Sequence, residues 1–435
     1  MAISGRPPEC DWKGKPRRIV PAETLDYGAD DPLVIEAGSG AEVRVFRAPL
    51  GGVGAAAEAM VADALRSSEH GPPLAAHVVA GDRVVVAMAG AVPQAEAVRS
   101  GVRQVLAEAG VLSANITDLH AAPLAVDDVG ASMEHAGGGH GGGDRFDPAG
   151  EATTSYLAAD AAGRPRYLAR ILVDADVVLS VGAWSWDAAL GGRSVEGELW
   201  PTFSRLDARR AFAVSLVKRG RRALPTWRRH VHDITWQLGV CASLRLVAGT
   251  GGSLHAACFG RPADAARRAR AAAGAWRPSV DGLADVAVVS LSDSRAGFPA
   301  VTRAVAAAAR ATRPGAVICV ASRISAGPGI VFLRWRQGAP LMPLLREAVA
   351  SGDPCLVADA LGTRLFARAL GDRRVVLLSD LDENAVEEFG FGHAATPEVV
   401  ERLAHRAERV VVLHEADRML PVRVAAEAGP ARQAR

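Results

Sequence analysis

The residues best equipped for chemistry fall in a few short stretches. The segment Val173–Arg193, VDADVVLSVGAWSWDAALGGR, runs from an apolar strand into a loop holding Trp184, Trp186, Asp187, Gly191, Gly192 and Arg193. A glycine pair that opens a helix presents free backbone N–H groups to a phosphate, and Arg193 would pair with the same anion. The two tryptophans would either fill a cavity or stack on an aromatic ligand. His120 lies in ANITDLHAA, and His140 in the glycine tract HAGGGHGGGD, His135–Asp144. Imidazole is the usual general acid or base near neutral pH, though a glycine tether positions one poorly. In RRHVHD, Arg228–Asp233, His230 and His232 would stand about 200° apart on a helix, so they cannot share one metal and read as surface residues. Arg295 and Arg303 flank the turn Gly297-Phe298-Pro299 and are the arginines able to take a small anion there.

Strands and helices must hold these groups in place. DRVVVAMAG (Asp82–Gly90) is a continuous apolar run, the pattern of a strand buried on both faces. A helical pattern ending at Gly110 follows, and then a second strand in ANITDLHAA, which makes a β–α–β unit with parallel strands. ADVVLSVG (Ala175–Gly182) is a third strand, and SLRLVAGTGGSLHAACFG (Ser243–Gly260) a hairpin about its glycines. The rhythm restarts at Ala284–Ser292 and continues through Gly315–Ser322, Arg373–Asp380 and Arg409–Asp417, with helices near Pro299–Thr312, Pro343–Ala350 and Pro397–Ala407. The fold class is therefore α/β: two doubly wound, Rossmann-like domains with mostly parallel sheets around an inter-domain cleft. The expected division is 1–272 and 273–414, with the tail 415–435 packing back on the first domain. Ligands of such sheets bind beyond the carboxyl ends of the strands.

Composition agrees with this. A chain of 435 residues exceeds one typical domain. With 49% hydrophobic and 23% charged residues it can build ordinary cores. A net charge of +2 gives no general attraction to nucleic acid. The one basic strip with interleaved aromatics, RLDARRAFAVSLVKRGRRALPTWRRH, reads equally as the approach to an anionic ligand's site. Five scattered cysteines without a CxxC pair point to buried reduced thiols rather than disulfides or zinc. The start lacks an apolar signal core and no 18-residue apolar run follows, so a cytoplasmic protein with no membrane contact is expected. Lysine occurs only at Lys13, Lys15 and Lys218.

In sequence and spacing, VVAGDRVVVAM, VRQVLAEAGVLSANIT, GRPRYLARILVDADVVLSVG, GGRSV, ADVAVVS with GFP, TRPGAVICVAS and RRVVLLSDL resemble the nickel-dependent lactate racemase family, over about residues 19–421. The resemblance implies two α/β domains around a cleft and a nickel-pincer nucleotide. It also implies racemisation or epimerisation of 2-hydroxy acids by hydride transfer, with two histidines as acid and base. Carried across, it makes His120 and His140 the nearest acid/base groups and puts Asp187 at the nickel-histidine position. Trp184, Gly191, Gly192 and Arg193 fall at the cofactor loop, and Arg295 and Arg303 lie near the substrate carboxylate. The chain departs from the family in several places. AMAGAVP keeps only Pro93 of an Asp-x-Thr-Arg-Pro motif, and YLARILVDAD has Arg170 where a lysine attaches the cofactor, so covalent attachment is not expected. Polar positions of the helix after GFP are alanines. Two readings follow: a divergent 2-hydroxyacid racemase (an isomerase) acting on a hydroxy acid or other small anion, or a non-catalytic ligand-binding or assembly protein on the same fold.

Overall fold

The computed structural model describes residues 22–424 apart from 37, 39, 68–70, 122–143, 161 and 195–198. Two six-stranded sheets organise the chain. The first has the order Leu254–Gly260, Ser243–Ala248, Val177–Ala183, Val84–Ala89, Ile116–Ala121 and Asp144–Arg145. All its neighbours are parallel except the expected hairpin of Ser243–Ala248 with Leu254–Gly260. All six residues of Val84–Ala89 are buried. Val84, Val86 and Met88 face one core, with the helices Ala55–Arg66 and Ala95–Glu108. Val85, Ala87 and Ala89 face another, with Trp200 and Phe203. A strand with both faces covered needs no polar side, which is why the sequence there is an unbroken apolar run.

The second sheet has the order Gly392–His393, Arg374–Leu378, Thr312–Ala321, Ala284–Ser290, Arg409–Leu413 and Glu42–Phe46, every pairing parallel. Its residues alternate in the same way. Ala287 and Val289 enter the largest core cluster, whereas Val286 and Val288 pack towards Leu25, Leu33 and Ile35. The fold is thus the mostly parallel α/β architecture that the sequence implies. The place of Glu42–Phe46 differs from the expected division at residue 272: it is an edge strand of the second sheet, paired with Arg409–Leu413. Its sequence, EVRVF, alternates and carries no mark of which sheet it joins.

Val422–Arg423 pairs with Ser279–Val280, and the Leu420 N–H donates to the Trp276 carbonyl, which ties the tail to the start of the second half. Among the described residues of the tail, the turn before it reaches back to the first sheet. Buried Glu415 accepts from the Thr250 hydroxyl at 3.0 Å and the Gly251 N–H at 2.8 Å, within the first sheet's hairpin. Gly251 has φ 60°, a left-handed conformation that a glycine adopts without steric cost. Burial raises the Glu415 pKa against the opposing effect of these hydrogen bonds.

Among the helices that go beyond the sequence reading are Ile330–Arg336 and Pro354–Leu370. The second begins as its sequence allows, with Asp353 accepting from the Cys355 N–H and Pro354 in the first turn. None of the four described cysteines forms a disulfide. Cys258 and Cys319 are buried as expected, and burial pushes the Cys319 thiol up to about 12. Cys241 and Cys355 are exposed, in contrast to the expectation. Among the described residues no helix is long and apolar enough to cross a membrane.

Candidate functional site at the tryptophan loop

The strand Val177–Ala183 ends beside Ser243–Ala248, and the Trp184 N–H continues the ladder by donating to the Leu246 carbonyl at 2.7 Å. The chain then folds into a short hairpin in which Trp186 pairs with Arg193 and Asp187 with Gly192. This corrects the sequence reading at Gly191 and Gly192: they close a hairpin instead of opening a helix. Gly191 sits at the turn with φ 69°, and its N–H donates to the Ala188 carbonyl at 3.1 Å. The N–H groups that a helix start would offer to a phosphate are therefore not presented there. Arg193, half-buried, is part of the hairpin strand.

Asp187 is 7% exposed and its Oδ1 accepts from the Leu190 N–H at 2.8 Å. That is the turn-forming use of an aspartate, a side chain closing the backbone three residues on. Trp184 and Trp186 are each 5% exposed, with ring centroids 4.6 Å apart at 87°. The Trp186 Nε1–H donates to the Ala273 carbonyl at 2.7 Å, and the Arg277 guanidinium lies 4.5 Å from the Trp186 ring centroid. Both indoles belong to one buried cluster that includes Ala273 and Trp276 and runs into the helix Phe298–Ala311. Of the two roles foreseen for the tryptophans, filling space is the one the packing favours.

The helix Phe298–Ala311 packs into the same cluster. In Phe298–Ala311 the alanines 300, 304, 306, 307, 308 and 311 are buried, so this helix lies flush against its neighbours where polar side chains would need room. Arg303 is half-buried on it. Arg295 is exposed in the preceding turn, where its N–H donates to Asp293 Oδ1 at 2.9 Å. Beyond Ala284–Ser290, the Ser292 N–H and hydroxyl both donate to buried Asp417, each at 2.7 Å. The carboxyl end of that strand is thereby committed to internal bonds.

His120 is the penultimate residue of Ile116–Ala121, half-buried between Met88 and Arg145, as the strand reading anticipates. His140 lies outside the described residues. Among the described residues no group of three or more His, Cys, Asp or Glu is poised around a metal. The basic strip forms the helices Leu206–Arg219 and Leu224–Gln237. His230 packs edge-on against Trp200 and Trp227, while His232 is exposed. This differs from the surface position that the sequence implies for His230. Trp227, three residues before it on the same helical face, was the available signal.

Next to that helix the hairpin Thr154–Ala159/Pro165–Ala169 turns on Asp160. Its carboxylate accepts from the N–H groups of Arg164 and Ala162, each at 2.9 Å, and from the guanidinium groups of Arg164 and Arg166. The Arg164 N–H leads the causes that lower the Asp160 pKa from 3.8 to about 2. A depressed carboxylate stabilises the folded state above its unfolded pKa, and that contribution is lost as pH falls through the folded value. Amide hydrogen exchange in Tyr156–Arg166 should therefore accelerate between 3.8 and about 2. In Asp160→Asn this acid step should be absent, and an identical step in the variant would refute the assignment.

No family model and no curated protein matches the sequence. Comparison with solved structures does find similarity. A Thermotoga maritima protein aligns with a TM-score of 0.58 at 11% identity, over 86% of this chain and 100% of its own. The lactate racemase apoprotein from Thermoanaerobacterium thermosaccharolyticum aligns with a TM-score of 0.69 at 15% identity, over 92% of this chain and 100% of its own. At these identities the likeness concerns the backbone, and the chain has a lactate-racemase-like fold.

Proposed function

We propose that this chain is a lactate-racemase-like protein that has given up 2-hydroxyacid racemisation and serves as a ligand-binding or assembly protein. The observation that carries this reading is the burial of Trp184 and Trp186 in one apolar cluster at the position where the resemblance puts the metal loop. A nickel-pincer nucleotide does not fit the residues present. Asp187 supplies a hard carboxylate already bonded to its own turn, and sulfur-bound nickel is better matched by imidazole. Arg170 stands in place of the attachment lysine, and the Gly191–Gly192 hairpin lacks a helix start for the nucleotide phosphate. Groups that act as a unit in catalysis are not replaced one by one without large loss.

A second reading, a divergent racemase or epimerase using His120, Arg295 and Arg303, is favoured by the extent of the fold match, which covers the whole of the racemase chain. One experiment separates the two. Protein produced together with the enzymes that make the nickel-pincer nucleotide is incubated with single enantiomers of a panel of 2-hydroxy acids, and the enantiomer or epimer ratio is followed by chiral chromatography. The proposal expects no inversion at C2 above background. Enzyme-dependent inversion of any member of the panel would overturn it.

A further inference from the structure

A cavity of about 340 Å³ lies between the helix Leu224–Gln237 and the hairpin turn at Asp160. That is within the range of small-molecule sites. Its polar wall holds Arg164, Arg166, Arg229, His230 and Asp233, and Ile234 adds an apolar surface. Some of these groups are already engaged. Arg164 and Arg166 both bond Asp160, and the Arg166 guanidinium lies 4.7 Å from the Trp200 ring centroid.

Three groups keep hydrogen-bonding capacity in reserve, although Asp233 acts through space on Arg166 and His230. Neither Arg229 nor Asp233 forms a hydrogen bond or salt bridge with a described residue. They stand one helical turn apart on one face, a spacing of about 5–6 Å between Cβ atoms. His230, between them in sequence, has its Nδ1 buried without a hydrogen-bond partner among the described residues. A buried, unsatisfied ring nitrogen is costly unless something else meets it. Burial, with help from nearby Arg166, lowers the His230 pKa and so favours the neutral ring.

These groups constrain the ligand. A simple anion on Arg229 would face the Asp233 carboxylate, and a simple cation on Asp233 would face the Arg229 guanidinium. A molecule bearing both charges on neighbouring atoms satisfies each. Ala159, Ala162 and Ile234 leave room for a short apolar side chain. We propose that this cavity binds a small zwitterionic amino acid, its carboxylate on Arg229, its ammonium on Asp233 and a polar atom against His230 Nδ1. The proposal gives the ligand-binding reading a site and a ligand class, and it rests on residues remote in sequence from the tryptophan loop.

The test is isothermal titration of the full-length protein with glycine, L-alanine and L-valine, and with acetate and methylammonium as singly charged controls. Saturable binding of at least one amino acid is expected, with both controls at least about tenfold weaker. Arg229→Gln and Asp233→Asn should each weaken amino-acid binding by about tenfold or more, and neither should move the melting temperature, because both side chains are exposed. Acetate binding as tightly as the amino acids would overturn the proposal in favour of a plain anion site. So would the absence of saturable heat for every probe up to about 10 mM, or variants that bind like the parent. Failure here leaves the proposed loss of racemisation standing. Inversion of a hydroxy acid at C2 would overturn that loss and leave this site standing.

Discussion

Trp186→Ala is expected to destabilise the protein by about 3–5 kcal/mol, the usual cost of removing a buried indole. The side chain is 5% exposed, is packed edge-on to Trp184 and bonds the Ala273 carbonyl through Nε1. Truncation loses the apolar transfer energy, opens a void where the hairpin meets the Ala273 turn, and leaves a carbonyl without its donor. Trp186→Phe should recover most of the packing and lose about 1–3 kcal/mol for the unpaired carbonyl. The measurement is thermal unfolding of both variants beside the parent. Loss in the order Ala, then Phe, then parent supports a structural indole. A Trp186→Ala protein that melts like the parent would mean that the ring lines an open site.

Asp187 gives the second large effect. Its Oδ1 closes the turn onto the Leu190 N–H in a nearly solvent-free position. Asp187→Ala strands that donor and should cost about 1–3 kcal/mol. Asp187→Asn keeps an acceptor at the same atom and should cost clearly less. The two substitutions therefore separate roles that one alone would confuse. A turn-forming aspartate tolerates asparagine and not alanine. A metal-binding carboxylate tolerates neither, because the amide carries no charge to offer the ion. Melting temperatures of the two variants decide the matter, and equal destabilisation by both would argue against the turn role.

The sequence reveals those parts of the fold that depend on local pattern. Runs such as VVVAMA and ADVAVVS are apolar on both faces because each face meets a different core, and such runs read directly as buried parallel strands. The hairpin at Gly251 is legible because its glycines permit left-handed backbone. Glu42–Phe46 is not legible as part of the second sheet, since its partner Arg409–Leu413 lies more than three hundred residues away. Nothing in five alternating residues encodes so distant a neighbour.

At the tryptophan loop, residue types could be read and their use could not. Asp187, Gly191 and Gly192 suit a metal-and-phosphate loop as well as they suit a tight hairpin. The choice depends on whether the backbone after Gly192 turns helical or pairs with Trp186–Asp187, and it pairs. Likewise the alanines of Phe298–Ala311 read in sequence only as small apolar positions, and packing shows them buried in one cluster. The cavity beside His230 was missed because its groups come from two segments about 65 residues apart, the turn at Asp160–Arg166 and the helix at Thr226–Gln237. Each segment alone reads as a solvated, charged surface.

On the proposed function, the tryptophan loop is a packed structural element on a lactate-racemase-like fold and holds no cofactor. Nickel content tests it most directly. The full-length chain is produced alongside the enzymes that make the nickel-pincer nucleotide, purified without chelator and assayed for metal per chain. The account predicts nickel well below one per chain, with no change in Asp187→Asn. One nickel per chain that disappears in Asp187→Asn would contradict it.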